Sequence, residues 1–234
     1  MTENLQKDQK FIQDVFNKVY SKYDLMNDLM SFGIHRNWKK QLITTMNPSK
    51  DQSLIDVGCG TGDIGKLFSL ATNYKSKILS VDPNSKMIDE GKKRLKKFKN
   101  IEWKVCAAEN LSVKDQTFDF YTISFGLRNT SNKKKAIAEA YRVLKNGGRF
   151  LCLEFSKIEN PSLEYIYKKY SNLIPIFGKF VVGEKEPYEY LVKSIDKFMN
   201  QNELLDILKG EGFVDSNYMN LSGGIVAIHS GWKI

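Results

Sequence analysis

Nine residues, Ile55-Asp56-Val57-Gly58-Cys59-Gly60-Thr61-Gly62-Asp63, restrict the possible folds more than any other part of the chain. Leu54 to Val57 reads as a short buried strand, and three glycines at alternate positions let the backbone turn tightly before a helix that begins near Asp63. No side chain obstructs a ligand lying over such a turn. A second apolar run, Ile78-Leu79-Ser80-Val81, closes on Asp82. The distance from Gly62 to Asp82 is the roughly 20 residues at which α/β nucleotide sites keep a carboxylate for ribose hydroxyls. A glycine turn alone would fit an unliganded strand, turn and helix. Turn and carboxylate together describe the nucleoside-binding edge of a parallel sheet.

The spacing also separates two ligand classes. Dinucleotide folds use G-x-G-x-x-G and aim a helix N-terminus at a pyrophosphate, where a negative residue would be unfavourable. Here the pattern is G-x-G-x-G followed by Asp63, with Asp56 ahead of the turn. Carboxylates in those positions fit a ligand that bears an ammonium and a sulfonium, so the motif predicts a site for S-adenosylmethionine. Gly58, Gly60, Thr61 and Gly62 form the predicted cradle, with Asp56 and Asp82 on either side of it.

At 234 residues, 41% hydrophobic and 27% charged, the chain has the length and composition of a single soluble α/β domain. No apolar run approaches the roughly 20 residues of a membrane span, and residues 1 to 10 lack the apolar core of a signal peptide. Cys59, Cys106 and Cys152 show no metal-ligand spacing and read as reduced thiols of a cytoplasmic enzyme, with no metal expected. The net charge of +9 calls for an anionic partner or a solubility role. Much of it sits in Lys92, Lys93, Arg94, Lys96, Lys97 and Lys99, on the expected wet face of a helix.

Strands and helices alternate beyond residue 50, which predicts a doubly wound, mainly parallel sheet with an antiparallel edge strand. Further strands are expected at Ile101 to Val105, Phe118 to Phe125, Arg149 to Phe155 after an Asn146-Gly147-Gly148 turn, Phe213 to Leu221 and Gly224 to His229. The last two are too close for a crossover helix and should form a hairpin through Ser222-Gly223. Helices are expected near 63 to 72, 84 to 98, 132 to 145 and 201 to 211. Residues 50 to 155 then form the cofactor-binding core and 201 to 234 the C-terminal helix and hairpin. Residues 8 to 46 read as a helical lid, and 160 to 195 as an apolar, loop-prone insertion broken by Pro161, Pro175 and Gly178. Such a stripe is either core packing or the wall of a pocket for a large apolar ligand.

Several longer stretches resemble the C-methyltransferases of ubiquinone and menaquinone biosynthesis. They are Tyr23-Asp24-Leu25-Met26-Asn27-Asp28 through His35-Arg36 with Trp38-Lys39, Gly58 to Asp63, Thr122 to Asn129, Leu153 to Lys157, Tyr188 with Tyr190-Leu191, and Asn220 to Gly231. The resemblance implies the class I methyltransferase fold, S-adenosylmethionine as donor, and ring-carbon methylation of a polyprenyl benzoquinol or demethylmenaquinol. It places cofactor contacts on Thr61, Asp82, Ala107, Ala108 and Ser124. Members of the family often carry Asn or Asp where this chain has Ala107, so only backbone recognition is expected there. A homodimer or a quinone-biosynthesis complex is compatible with the resemblance, as is peripheral association with the inner, anionic face of a membrane.

Carbon methylation needs an electron-rich ring. Ionising a phenol of pKa about 10 at pH 7 costs about 4 kcal/mol unless the site assists. Arg128 keeps its proton and suits phenolate stabilisation, with Asn129 orienting the same oxygen or a water. The proton acceptor stays open between Asp63 acting through water and His35 acting directly, with Tyr23 aligning the ring. Asp63 is equally compatible with an ammonium partner or a helix N-terminal carboxylate, and His35 with a packing histidine. Two other functions fit the bulk properties. One is an RNA or DNA methyltransferase, which Ser124 to Asn129 disfavours because it lacks the proline-rich base-gripping loop, so no nucleic-acid partner is expected. The other is a non-catalytic assembly subunit, which Thr61, Asp82 and Arg128 argue against.

Overall fold

The computed structural model describes residues 33 to 183 and 185 to 234, together with Phe11, Asp14, Val15, Asn17, Asn27, Asp28 and Ser31, with side chains undescribed from 177 to 182. Much of the expected lid before residue 33, Tyr23 included, lies outside the described residues. Seven strands form one sheet: β1 (Leu54–Val57), β2 (Ile78–Asp82), β3 (Ile101–Val105), β4 (Phe118–Ser124), β5 (Leu144–Phe155), β6 (Val214–Leu221) and β7 (Val226–Trp232). Their spatial order is β3-β2-β1-β4-β5-β7-β6. The first five run parallel, β7 is antiparallel to both β5 and β6, and the expected terminal hairpin is present.

The helices are α1 (His35–Met46), α2 (Asp63–Ala71), α3 (Ser85–Arg94), α4 (Lys133–Val143), α5 (Pro161–Val182), α6 (Glu186–Asp196) and α7 (Gln201–Gly210). Side chains alternate across the sheet into two apolar layers, as the strand period of two requires. Leu54, Phe120, Leu151 and Leu153 enter one layer with Trp38, Phe68 and Ile174. Ile55, Val57, Tyr121, Ile123 and Phe150 enter the other with Ile137, Ala140 and Leu208. Each such fully buried side chain contributes about 1.5 to 3 kcal/mol, so a one-residue slip in β1 or β4 would exchange the layers and is strongly disfavoured.

Two expectations are corrected. The Asn146-Gly147-Gly148 segment does not precede the fifth strand but lies within it. Leu144 pairs with Phe118 and Arg149 with Phe120, so a bulge absorbs the residues between. Gly147 takes φ +77° there and donates to Lys233 O at 2.7 Å, which keeps the segment in the sheet. The insertion is not a broken loop but two helices. Pro161 opens α5, where a missing N–H costs nothing, and Asn160 Oδ1 caps it by accepting from Ser162 and Leu163 N–H. The helix runs on through Pro175 because its inner face, with Ser171 and Ile174, is buried and tertiary packing overrides local propensity. Helix α3 is shorter than its basic run suggests, ending at Arg94.

Helix α1 fixes one wall of the site. His35, Trp38, Lys39, Leu42, Ile43 and Met46 form its buried face at helical spacing. Trp38 packs against the adjoining rings of Phe125 and Phe155, with centroids 6.2 and 6.3 Å away, and its indole N–H donates to Ser222 Oγ at 2.9 Å. On the opposite flank the Trp103 ring of β3 wedges under the glycine turn. A Cβ on Gly62 would lie 2.4 Å from Trp103 Cη2, and one on Gly91 of α3 2.5 Å from the same atom.

Alanine at a helical glycine ordinarily stabilises by about 0.5 to 1 kcal/mol. Gly91→Ala is predicted to destabilise instead, by about 1 to 3 kcal/mol, because the rigid indole cannot withdraw. Urea unfolding of Gly91→Ala and of Gly91→Ala/Trp103→Phe checks this, with partial recovery expected in the double variant.

Candidate active site

The sheet order reverses between β1 and β4, and their carboxyl ends open the crevice in which α/β folds hold ligands. The turn after β1 carries positive φ at Gly58 (+62°), Gly60 (+55°) and Gly62 (+88°). At Gly58 the backbone comes close to the loop after β4, and a Cβ there would lie 3.5 Å from Gly126 Cα. The turn is tied to β2 by Asp82, whose Oδ2 accepts from Gly60 N–H and whose Oδ1 accepts from Asn84 N–H, both at 2.9 Å. Burial pushes the Asp82 carboxyl up to about 6, with those two bonds opposing the rise. Ala107 and Ala108 follow β3 beside Asp82, where Cys106 N–H reaches Asp82 O at 3.3 Å.

Within the cleft two polar atoms have no partner among the described residues. Asp56 Oδ1 accepts from Thr122 Oγ1 at 2.9 Å, and its buried Oδ2 makes no hydrogen bond of good geometry, with the Gly65 N–H near enough to favour the ionised carboxylate only weakly. Ser124 Oγ, at the end of β4, is likewise buried and unbonded. Both residues line the cleft with Lys39, Gly58, Thr61 and Asp63. Asp56 is 1% exposed, and burial pushes its carboxyl up to about 7. An unsatisfied acceptor in a cleft is one that a donor from a ligand can complete. The chemistry therefore fits the ammonium of S-adenosylmethionine, with the ribose near Asp82.

Asp63 sits at the first residue of α2 and meets two cations. Lys39 Nζ donates to its Oδ2 at 2.7 Å, and Arg94 makes a close ion pair with its Oδ1. Arg94 also donates to Thr61 Oγ1 at 2.8 Å. Burial pushes the Asp63 carboxyl up, but Lys39 and Arg94 more than offset this and hold it well below the ordinary carboxylate range. A carboxylate so held is a weak proton acceptor. His35, one turn before Lys39 on α1, is 3% exposed, with Nδ1 2.9 Å from Ser31 Oγ and 3.6 Å from Asp28 Oδ1. Burial first, then the Lys39 charge, lower its pKa and leave the imidazole neutral at pH 7.

Arg128 and Asn129 occupy a short 3-10 turn after β4, apart from the Asp63 cluster. Arg128 Nη1 pairs with Glu154 Oε1 at 2.8 Å and donates to Phe125 O, with both charged side chains almost fully buried. Its Nε is buried without a partner among the described residues. Asn129 Oδ1 accepts from Tyr190 OH at 2.9 Å, and the Tyr190 ring packs edge-on against Phe11 at 5.7 Å. The structure thus separates the predicted residues. Asp56, Thr61, Asp63 and Ser124 line the cleft, His35 is buried one turn before Lys39 on α1, and Arg128 with Asn129 follow β4, where Asn129 meets Tyr190 of α6.

Lys39, Arg94, Glu154 and Tyr190 were not among the site residues expected from sequence. A signal existed for Glu154, a lone carboxylate inside Leu151-Cys152-Leu153-Glu154-Phe155, since a buried charge implies a partner. None existed for Arg94, which is chemically indistinguishable from its basic neighbours until the turn of α3 carries it back toward Thr61.

A model of the ubiE/COQ5 methyltransferase family matches residues 3–233. The ubiquinone/menaquinone biosynthesis C-methyltransferase UbiE of Rickettsia bellii is 48% identical, over 97% of this chain and 94% of that protein. The mitochondrial 2-methoxy-6-polyprenyl-1,4-benzoquinol methylase of Dictyostelium discoideum is 44% identical, over 100% of this chain and 84% of that protein. Among solved structures, a SAM-dependent methyltransferase from Thermotoga maritima superposes with a TM-score of 0.66 at 20% identity, covering 94% of this chain and 99% of that one. The seven-stranded sheet is that of S-adenosylmethionine-dependent methyltransferases, and the chain belongs to the ubiE/COQ5 methyltransferase family.

Proposed function

We propose that this enzyme methylates a ring carbon of a polyprenylated hydroquinone in ubiquinone or menaquinone biosynthesis, with S-adenosylmethionine as donor. The observation that carries the reading is the unsatisfied pair Asp56 Oδ2 and Ser124 Oγ beneath the glycine turn, in a chain of this family. When bound, the donor supplies a methyl group on a positively charged sulfur. Asp56 and Ser124 would hold its ammonium, Asp82 its ribose, and the Ala107-Ala108 backbone its adenine.

On the acceptor side, Arg128 is held rigid by Glu154 and by Phe125 O, which leaves its Nε as the donor for a phenolate oxygen or an ordered water. With the carbonyl oxygen of Asn129 taken by Tyr190, its amide NH2 faces the same role. Asp63 is a poor base between its two cations, so neutral His35 is the better proton acceptor. Production of methylated quinone in ubiquinone-deficient and menaquinone-deficient methylase mutants, read by mass spectrometry, is the direct test. Rescue of neither strain by a folded protein would overturn the proposal.

The same reading places the enzyme on a membrane surface. Among the described residues no helix is long and apolar enough to cross a bilayer. Helix α5, however, presents Tyr165 and Ile166, each 63% exposed, with Leu173 and Ile176 beside Lys168 and Lys169. An amphipathic face of this kind would lie in the headgroup region and offer an isoprenoid substrate a path to the inner side of the helix.

Removing one partner of a buried ion pair costs about 3 to 5 kcal/mol. Arg128→Met alone should therefore destabilise by that amount, whereas Arg128→Met/Glu154→Gln should regain most of the stability in thermal unfolding. If Arg128 acts on substrate, the double variant stays inactive while binding S-adenosylmethionine normally. Flotation with anionic liposomes at low salt should carry the wild type upward and leave Ile166→Asp/Leu173→Asp behind. Equal flotation of both would remove α5 from the membrane reading.

A further inference from the structure

Lys39 is a lysine in an unusual place. It is 7% exposed, projects from the second turn of α1 into the cofactor cleft, and lines that cleft together with Asp56, Gly58 and Ser124. Its hydrogen bond to Asp63 Oδ2 is 2.7 Å, and its charge also acts through space on Asp56. Lysine is almost never fully buried without a strong reason. Neutralising Asp63 is not a sufficient one, because Arg94 already pairs with the other oxygen of that carboxylate. Two cations around one carboxylate leave one positive charge in excess at that cluster. Asp56 Oδ2, buried and without a hydrogen bond, belongs to the same cleft lining.

A lysine and an open carboxylate acceptor lining one cleft form the complement of a zwitterion. An ammonium has three N–H donors, and among the described residues Lys39 makes one hydrogen bond, to Asp63. Arg94 is less suited to such a role, because its side chain is 26% exposed at the rim and one of its donors is held by Thr61. We infer that Lys39 binds the α-carboxylate of the donor's amino-acid arm, while Asp56 takes the ammonium, so that this pair selects a sulfonium carrying an intact amino acid. The inference rests on the donor reading above and adds the carboxylate partner to it. It also links the donor to α1, since Lys39 lies one turn from His35 and shares its helix with Trp38, the residue that docks that wall.

The test compares S-adenosylmethionine with its decarboxylated analogue, which keeps the adenosine, sulfonium and ammonium and lacks only the carboxylate. Calorimetric titration of the wild type should show the analogue binding roughly 10- to 100-fold more weakly, the worth of one charge-assisted hydrogen bond in a buried site. Lys39→Gln should weaken S-adenosylmethionine by a similar factor and change the analogue by less than about 3-fold, so that the discrimination disappears. Should Lys39→Gln fail to fold, Lys39→Met/Asp63→Asn removes both members of the pair and must also abolish the discrimination. Equal binding of the two ligands by the wild type, or equal weakening of both by Lys39→Gln, would overturn the role of Lys39 while leaving the donor assignment intact. A folded wild type that binds neither ligand would overturn the donor assignment and this inference with it.

Discussion

The hydrogen bond from Gly60 N–H to Asp82 Oδ2 is the joint on which the site is built. It fastens the turn after β1 to the end of β2, and the second oxygen of the same carboxylate, through Asn84 N–H, fastens the entrance to α3. Asn84 then caps that helix by accepting from Lys86 and Met87 N–H. One buried carboxylate thereby sets three backbone segments at once. The position of Trp103 beneath the turn and the return of Arg94 to Thr61 both follow from where that joint starts α3.

Two charge systems with different physics lie side by side at the carboxyl edge. Around the cleft, the charge of Lys39 acts on both Asp56 and Asp63, that of Arg94 acts on Asp63, and Asp56 stays partly unsatisfied. Beyond it, Arg128 and Glu154 form a buried ion pair, with a ring of Phe155 5.6 Å from the guanidinium carbon. The first system is poised to exchange partners with a ligand, whereas the second is rigid and offers direction instead of net charge. Such a division suits a reaction in which a cationic donor and an acceptor of changing charge meet in one pocket.

Features fixed by local spacing were legible in the chain. The strand, glycine turn and Asp82 could be located because ligand geometry demands those residue types at those intervals, and the hairpin of β6 and β7 because so few residues separate them. The bulge in β5 was not, since Asn146-Gly147-Gly148 has turn chemistry and only pairing with Lys233 holds it in the sheet. Helix α5 was missed for a similar reason: Pro175 argues locally for a break, and only the buried inner face argues for continuity. At the site, Asp63 could be found but not its two cations. Lys39 and Arg94 lie far from it in sequence and meet it through the packing of α1 and α3, a long-range fact that no spacing rule encodes.

Burial of Asp56 gives the cleft a carboxyl that holds its hydrogen ion more tightly than a free one. Held up to about 7 by burial, against 3.8 in the unfolded chain, this carboxyl contributes stability that is full below the unfolded value, declines as pH rises through mild acid and is gone above about 7. A bound ammonium reverses the preference, because an adjacent positive charge favours the ionised form. With the donor's ammonium on Asp56, as proposed above, docking would expel a hydrogen ion and affinity would strengthen as pH rises toward 7. On that proposal, occupancy and acidity compete for one carboxylate.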